Sequence, residues 1–338
     1  MRVLIIGGTG LISAYISQIL AERGQDEVVL YNRGQSIYPA PPGVKTVTGD
    51  RTDYSAFENQ VSTLSRFDAV IDMVAYKPAD GESVLRAFSG RVGQFIFCST
   101  VDIYRKPASS YPYTEAEEYG GLNDYASNKV VLEKMFFAAC AKGNFPLTVI
   151  RPAYTYGEGR APLETFGGRS QVLDRIRRGL PIVVHGDGNS LWVACHASDV
   201  ARAFVNALGA PAAAGKAYHT AGEEWLTWND YYRQIAAALS APPPTLVHIP
   251  TDLLQRWVPG RAGLAYTNIQ FNNIFDNAAA RRDLGFAYTI DWQSGVRRMA
   301  AWLDERGQVE RAESDPFDDR LIAAWERCGS SLTAEELA

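Results

Sequence analysis

A chain of 338 residues, 46% of them hydrophobic, is long enough for one large domain or two modest ones with a sizeable core. Its net charge of −5 makes it a poor general partner for DNA or RNA phosphates. No window reaches the ~18 apolar residues of a membrane helix. The first apolar run turns at once into glycines, so no signal peptide is expected and the chain reads as soluble and cytoplasmic.

In the first 150 residues short β-branched runs, at 3–6, 28–31, 44–47, 67–73, 95–98 and 147–150, alternate with helical stretches at 11–23, 54–64, 81–88 and 125–142. Strands alternating with helices predict an α/β fold, a doubly wound parallel sheet with helices on both faces. Near-continuous apolar strands fit that buried setting. After Pro152 the pattern loosens. Helices are expected at 169–179, 198–208, 228–239 and 278–284, with short strands at 182–184 and 217–221. Residues 241–244 read as a rigid connector and 315–338 as a terminal helix with a loose tail. The expected division is a dinucleotide-binding domain over 1–155 and a smaller substrate-binding domain over 156–330. The second is interleaved with the first, and some C-terminal segments return to the sheet.

The opening strand ends in Gly7-Gly8-Thr9-Gly10-Leu11-Ile12-Ser13. Glycines there let the backbone approach a pyrophosphate, and the helix N-terminus that follows offers free N–H groups and a partial positive charge. Gly7, Gly8, Thr9, Gly10, Leu11 and Ile12 are therefore candidate cofactor residues, with Ser13 small enough to keep the helix close. The second strand ends Asn32-Arg33-Gly34, without the acid that normally holds a free ribose 2′-hydroxyl. Arg33 suits a 2′-phosphate, which tilts the choice between NADP and NAD toward NADP. Asp50 and Arg51 end the third strand, where Asp50 could accept from the adenine amino group.

Tyr125 and Lys129 are spaced to share one face of a helix. An ammonium near a phenol favours the phenolate, so Lys129 is expected to bring Tyr125 down toward a useful base. The strand before that helix ends in Ser99-Thr100. Thr100, with Ser99 second, is the candidate hydroxyl for holding the substrate oxygen.

The four cysteines, Cys98, Cys140, Cys195 and Cys328, are far apart and read as reduced thiols. The four histidines lack ligand spacing, so no metal is expected. His196 reads as a structural hydrogen-bonding group. Arg175, Arg177 and Arg178 read as a solvated helix face, and 161–168 as a cover loop hinged at Gly167-Gly168.

With these motifs, Cys98–Tyr104, Arg151–Gly157, Gly186-Asp187-Gly188, His196–Ala201 and Phe275-Asp276-Asn277, the chain resembles the short-chain dehydrogenase/reductase superfamily in its extended epimerase/dehydratase branch. The resemblance covers roughly residues 1–300. It implies a hydride cycle at a sugar carbon, with Tyr125 taking the hydroxyl proton and Thr100 binding the same oxygen. It also implies that Val74, Ala75, Pro152 and Tyr154 line the cofactor, and that the chain pairs as a homodimer. Two departures stand out. The Asp-Glu pair of the family's dehydratases is Val101-Asp102 here, which argues against dehydration. The arginine that clamps a nucleotide sugar's diphosphate in many members is Trp192 here. On the substrate side the candidates are Tyr76, Asp102, Trp192, Arg160 and Arg169, with Arg175 a further source of a clamp.

The leading expectation is an NAD(P)-dependent epimerase of a sugar or nucleotide sugar. The alternative is an NADP-dependent reductase or dehydrogenase of a non-nucleotide sugar or ketone. A non-catalytic RNA-associated relative stands further off; a related plastid group carries a similar Asn/Thr-Arg-Gly after its second strand.

Overall fold

A computed structural model of the chain describes residues 1–330, so the expected tail beyond them lies outside the described residues. The chain forms two compact units, one of residues 1–155, 193–223 and 274–290, the other of 156–192, 224–273 and 291–338.

The first unit is built on β1 (Arg2–Ile6), β2 (Glu27–Asn32), β3 (Lys45–Thr48), β4 (Phe67–Asp72), β5 (Val92–Cys98), β6 (Leu147–Pro152) and β7 (Lys216–Thr220). They form one sheet in the order β3-β2-β1-β4-β5-β6-β7. Every pair is parallel, so each connection must cross a face of the sheet. The crossings carry α1 (Leu11–Arg23), α2 (Tyr54–Ser62), α3 (Pro78–Phe88), α4 (Asp124–Ala141) and α5 (Ala197–Ala207); α6 (Ala278–Leu284) follows. The order in which the chain adds strands reverses between β1 and β4, which opens a crevice at the carboxyl ends of the strands.

Alternation along each strand builds two cores. Val3 and Ile5 of β1 and Ile96 of β5 face one layer with Ile16 and Leu20 of α1 and Val200 and Phe204 of α5. Leu4, Ile6, Phe95 and Phe97 face the other, with Phe57 of α2, Val84 of α3, and Leu132 and Phe136 of α4. Both faces are covered, which is why these strands read as continuous apolar runs rather than alternating ones.

The second unit holds short pieces of sheet. Ile182–His185 pairs in parallel with Leu246–Ile249, and Leu191–Trp192 pairs antiparallel with Leu226–Thr227. Its core is aromatic: the Trp292 and Tyr231 rings stack at 4.4 Å, and Tyr156 meets Trp292 edge-on at 4.7 Å. Several elements here differ from expectation, the helices Thr251–Trp257 and Pro259–Leu264 among them. The proline connector leads directly into the strand Leu246–Ile249. Helix Trp292–Glu305 has no counterpart in the sequence reading, because Gly295 lowers helix propensity in its first turns. A Cβ at position 295 would collide with the Tyr156 ring, so the same glycine that hides the helix lets it pack. Residues 163–168 form a small hairpin rather than a free cover. The Thr165 hydroxyl donates to the Val183 carbonyl at 2.9 Å, and Phe166 meets Phe317 edge-on at 5.0 Å.

Candidate active site

Gly7 sits at φ +80, a conformation that side chains rarely adopt, and a Cβ there would run into Val74. A Cβ at Gly8 would lie 2.6 Å from Leu30, so this glycine serves packing against β2. Gly10 is exposed, and a Cβ there would meet only the Ser13 hydroxyl at 3.2 Å and the Gly7 carbonyl at 3.9 Å. Ser13 does more than save space. Its hydroxyl donates to the Gly7 carbonyl at 2.5 Å and accepts from the Gly10 N–H at 2.7 Å, and Ser17 donates to the Gly8 carbonyl at 2.7 Å. Two serines of α1 therefore hold the glycine turn in shape.

Beside this turn lies a cleft of about 390 Å³ lined by Gly7, Thr9, Gly10, Asn32, Arg33, Asp50, Arg51, Val74 and Tyr76, among others. Arg33 is exposed on its rim. The Asn32 side chain accepts from Gly34 N–H at 3.0 Å and shapes the turn after β2. Asp50 accepts from the Thr52 N–H at 2.9 Å and hydroxyl at 2.7 Å, which holds its carboxyl below the usual range. The bare Gly10 backbone, the amino end of α1 and the positive rim at Arg33 fit a dinucleotide pyrophosphate and ribose.

Arg51 lines the cleft, but its guanidinium is committed elsewhere. Its Nη1 donates to Asp72 at 3.1 Å and its Nη2 to the Asp80 carbonyl at 3.2 Å, so those two nitrogens face the protein. Asp72 also accepts from Val74 N–H at 2.9 Å, and Asp80 from Tyr76 N–H at 2.7 Å and Lys77 N–H at 2.9 Å. These two buried aspartates brace the loop that carries Val74 and Tyr76. Ala75 is fully buried in the core beside them, and Leu11 and Ile12 are half-buried on α1. Pro152 is buried at the end of β6, and Tyr154 is half-buried two residues on.

The proton-transfer candidates meet at the carboxyl end of β5. Asn123 caps α4 by accepting from Ala126 N–H at 2.9 Å, which starts the helix just before Tyr125. Tyr125 is 40% exposed, whereas Lys129 is 1% exposed and donates to the Cys98 carbonyl at 2.7 Å. Thr100 is buried and accepts from Asp102 N–H at 3.2 Å. The buried Ser99 backbone N–H donates to the Ile150 carbonyl at 2.8 Å.

The expected acidification of Tyr125 by Lys129 is not what the structure supports. Desolvation raises the phenol, with Cys98, Asp102 and Tyr76 adding to the rise; hydrogen bonding with the Thr100 hydroxyl opposes it. The Lys129 ammonium is itself pushed down by burial and turns toward the Cys98 carbonyl. Asp102 also faces Lys106, a half-buried amine that burial pushes down to about 8. Nothing in the sequence reading singled out Lys106.

Behind the site, α4 carries a third polar residue one turn on. Glu133 is fully buried and accepts from Arg151 Nε at 3.0 Å and Nη2 at 2.6 Å, and from the Tyr119 hydroxyl at 2.9 Å. Arg151 Nη1 donates to the Tyr104 oxygen at 2.7 Å, and Tyr104 lies 2.6 Å from His219 Nε2. His219 Nδ1 is 3.1 Å from the Asp276 carbonyl, which can only accept. Nδ1 therefore carries the proton, Nε2 accepts from Tyr104, and burial pushes the imidazole down to about 3. This chain ties α4, β6 and β7 together behind Tyr125 and Lys129. The four-residue step from Lys129 to Glu133 was visible in the sequence; the partner Arg151 was not.

In the second unit the substrate-side candidates are largely occupied. Trp192 is buried, 5.1 Å from the Trp228 ring, and pairs with Leu226: it is core. Arg169 is ion-paired with Glu164 at 2.6 Å and Asp318 at 3.0 Å. Arg175 is 3% exposed, bonded to Asp319 at 2.5 Å and the Pro181 carbonyl at 2.9 Å, so the expected solvated arginine face is corrected at this residue, while Arg177 is half-buried and Arg178 exposed. Arg177 pairs with Asp304 at 2.6 Å and Arg178 with Glu313 at 2.6 Å. Arg160 is exposed. In the first unit, His196 caps α5, its ring nitrogen accepting from Ser198 N–H at 3.2 Å. Among the described residues no cluster of His, Cys, Asp or Glu could hold a metal, and no helix is long and apolar enough to cross a membrane.

A parallel sheet with a glycine cradle at its crevice and a Thr-Tyr-Lys group beside it defines an enzyme that uses a nicotinamide dinucleotide. The chain belongs to the NAD dependent epimerase/dehydratase family, whose sequence model matches residues 3–221. It is 29% identical over 313 residues to the 2'-dehydrokanamycin reductase of Streptomyces kanamyceticus, covering 93% of this chain and 87% of that protein. It is also 29% identical over 260 residues to the chloroplast stem-loop binding protein of 41 kDa b of Arabidopsis thaliana, covering 73% of this chain and 65% of that protein. Among solved structures, the UDP-glucuronic acid 4-epimerase of Bacillus cereus in complex with NAD shares the fold with a TM-score of 0.70 at 16% identity, covering 90% of this chain and 99% of that one.

Proposed function

We propose that the protein is a reductase or dehydrogenase, using NADP in preference to NAD, that acts on a ketone or secondary alcohol of a sugar-like ring carrying no nucleotide. One observation carries the choice: Trp192 is core, and Arg169 and Arg175 already hold carboxylates. At these two positions a diphosphate would have to displace internal ion pairs, each partly or wholly buried, at a cost in desolvation and lost pairing. The relative that is a reductase, similar over 93% of this chain, supports the same side. The epimerase reading needs the same proton-transfer group and differs in keeping its cofactor through the cycle.

The nicotinamide, when bound, supplies a hydride donor or acceptor. The residues that would hold the cofactor are Gly7 to Gly10 at the pyrophosphate, Asp50 at the adenine, Arg33 at the 2′-phosphate and Val74 along the wall. Tyr125 delivers or removes the proton at the substrate oxygen. Thr100, its hydroxyl beside that phenol, holds the same oxygen as charge develops. Lys129 places a positive charge 5.8 Å from the Tyr125 ring, where it would stabilise charge that develops as the proton moves, while desolvation keeps the resting phenol raised. The substrate-binding role falls to the second unit, with the exposed Arg160 its remaining candidate cation. Four free thiols suit a reducing, cytoplasmic setting.

The test is a panel of ring ketones, polyols and amino sugars with NADPH or NADP⁺, followed at the NADPH absorbance band. Net oxidation or reduction, with a Tyr125→Phe variant at least about 100-fold slower but still binding NADPH, supports the reading. Stereochemical change in a UDP-sugar without net absorbance change assigns the epimerase instead. Full turnover by Tyr125→Phe removes both.

A further inference from the structure

Lys129 sits among three aromatic rings. Its Nζ lies 4.7 Å from the centroid of Phe97, 4.8 Å from Tyr76 and 5.8 Å from Tyr125, with one hydrogen bond to the Cys98 carbonyl at 2.7 Å. Phe97 is fully buried, a fixed wall of the core. Tyr76 is 47% exposed and lines the cleft, so it belongs to the site rather than to the core. Its ring lies 6.2 Å from that of Tyr125, tilted by 46°. Its backbone is fixed by the bond from Tyr76 N–H to buried Asp80.

We propose that Tyr76 is a positioning residue of the active site: its ring and that of Phe97 hold the Lys129 ammonium in place beside Tyr125. An ammonium has three N–H donors, and one is taken by the Cys98 carbonyl. A buried ammonium short of oxygen partners is held by the negative faces of aromatic rings, an attraction that strengthens as water is excluded. Nζ is nearer to Tyr76 than to Tyr125 by a full ångström. Tyr76 therefore sets where the charge rests and how much of it reaches the reacting phenol. The inference rests on Tyr125 and Lys129 being the proton-transfer pair, but the contact it invokes does not depend on any substrate.

The groups that face Lys129 are Cys98 on β5, Asp72 on β4, Asp80 on α3 and Glu133 on α4, besides the two tyrosines. A substitution at position 76 removes only the Tyr76 ring from this set. The chain has seven lysines, few enough to follow each side-chain methylene by ¹³C NMR, with Lys129→Arg giving the assignment. In Tyr76→Leu, which stays apolar but has no π face, the Lys129 titration midpoint should fall by about 0.4–1.5 pH units. In Tyr76→Phe, which keeps the ring, it should move by less than about 0.2. Once a substrate is in hand, Tyr76→Leu should lower kcat about 3- to 10-fold with KM nearly unchanged, and Tyr76→Phe should restore it. A Lys129 midpoint that stays put or rises in Tyr76→Leu overturns the proposal. So does a loss in Tyr76→Phe equal to that in Tyr76→Leu, which would assign the effect to the hydroxyl. Because the NMR titration uses the protein without substrate, the proposal can fail while the proposed reaction stands, and the reverse.

Discussion

Replacing Arg151 by methionine tests whether the catalytic helix is held from behind by a buried ion pair. Methionine keeps an unbranched stem of similar length and removes the guanidinium. Glu133 is then left fully buried with one of its three hydrogen-bond donors, the Tyr119 hydroxyl. Breaking a buried pair by removing one partner costs about 3–5 kcal/mol, because the remaining charge is neither solvated nor neutralised. Tyr104 loses a donor but still bonds His219, so its share is small beside that. Against a typical total stability of about 5–15 kcal/mol, the loss is severe. In Glu133→Gln/Arg151→Met no buried charge remains, and the amide can still accept from Tyr119. The double variant should recover at least half of what the single variant loses. Urea unfolding of wild type, Arg151→Met and the double variant, followed by fluorescence and far-ultraviolet dichroism, measures all three. A single-variant loss below about 1 kcal/mol, or a double variant no better than the single, refutes the idea that an unpaired charge is what hurts.

Arg33→Ala should weaken NADPH binding about 10- to 100-fold and leave NADH binding nearly unchanged, since a charge-assisted phosphate contact is worth about 1.5–3 kcal/mol; equal losses for both, by calorimetry, would remove the 2′-phosphate role. Ser13→Ala removes the bridge between Gly7 and Gly10 and should cost about 1–2 kcal/mol of stability with weaker dinucleotide binding; unchanged binding would show that the turn holds its shape without the serine. Burial pushes His185 down to about 4 and His219 to about 3, against 6.5 unfolded. Both are depressed bases, so their contribution is complete above pH 6.5 and is lost as pH falls toward those values, about 2 kcal/mol each by pH 5. Glu115 and Glu164, raised by burial, act in the opposite sense, so the clean comparison is His185→Gln, whose acid loss between pH 7 and 5 should be smaller by about 2 kcal/mol than wild type.

The parts of the fold that the sequence exposes are those written in local pattern. Each strand of the first unit is a buried apolar run, and the turn after β1 needs glycine for a reason that can be stated residue by residue. What escapes is written in partners far apart along the chain. Arg51 looks like a cofactor ligand because it lies just after β3, yet Asp72, 21 residues on, draws one of its nitrogens inward. Arg169 is a candidate phosphate clamp by its charge alone, yet Asp318, 149 residues on, pairs with it. Helix Trp292–Glu305 is hidden by Gly295, which the Tyr156 ring requires. Spacing cannot distinguish an arginine waiting for a ligand from one already paired, because the deciding carboxylate is brought in by the fold.

That same blindness shaped the expectation for Tyr125. From spacing alone, Lys129 is a charge beside a phenol, and the phenol should be more acidic. The fold adds two facts. The phenol is desolvated, which raises it. The ammonium is engaged by the Cys98 carbonyl and by two other rings, which spreads its influence. A raised phenol stays protonated at neutral pH, as an ordinary phenol does, and is the weaker acid for it, so the rise by itself favours neither direction of hydride transfer. The case for a substrate without a diphosphate therefore rests on the second unit, where Arg169 holds Glu164 and Arg175 holds Asp319, and not on the acidity of the phenol.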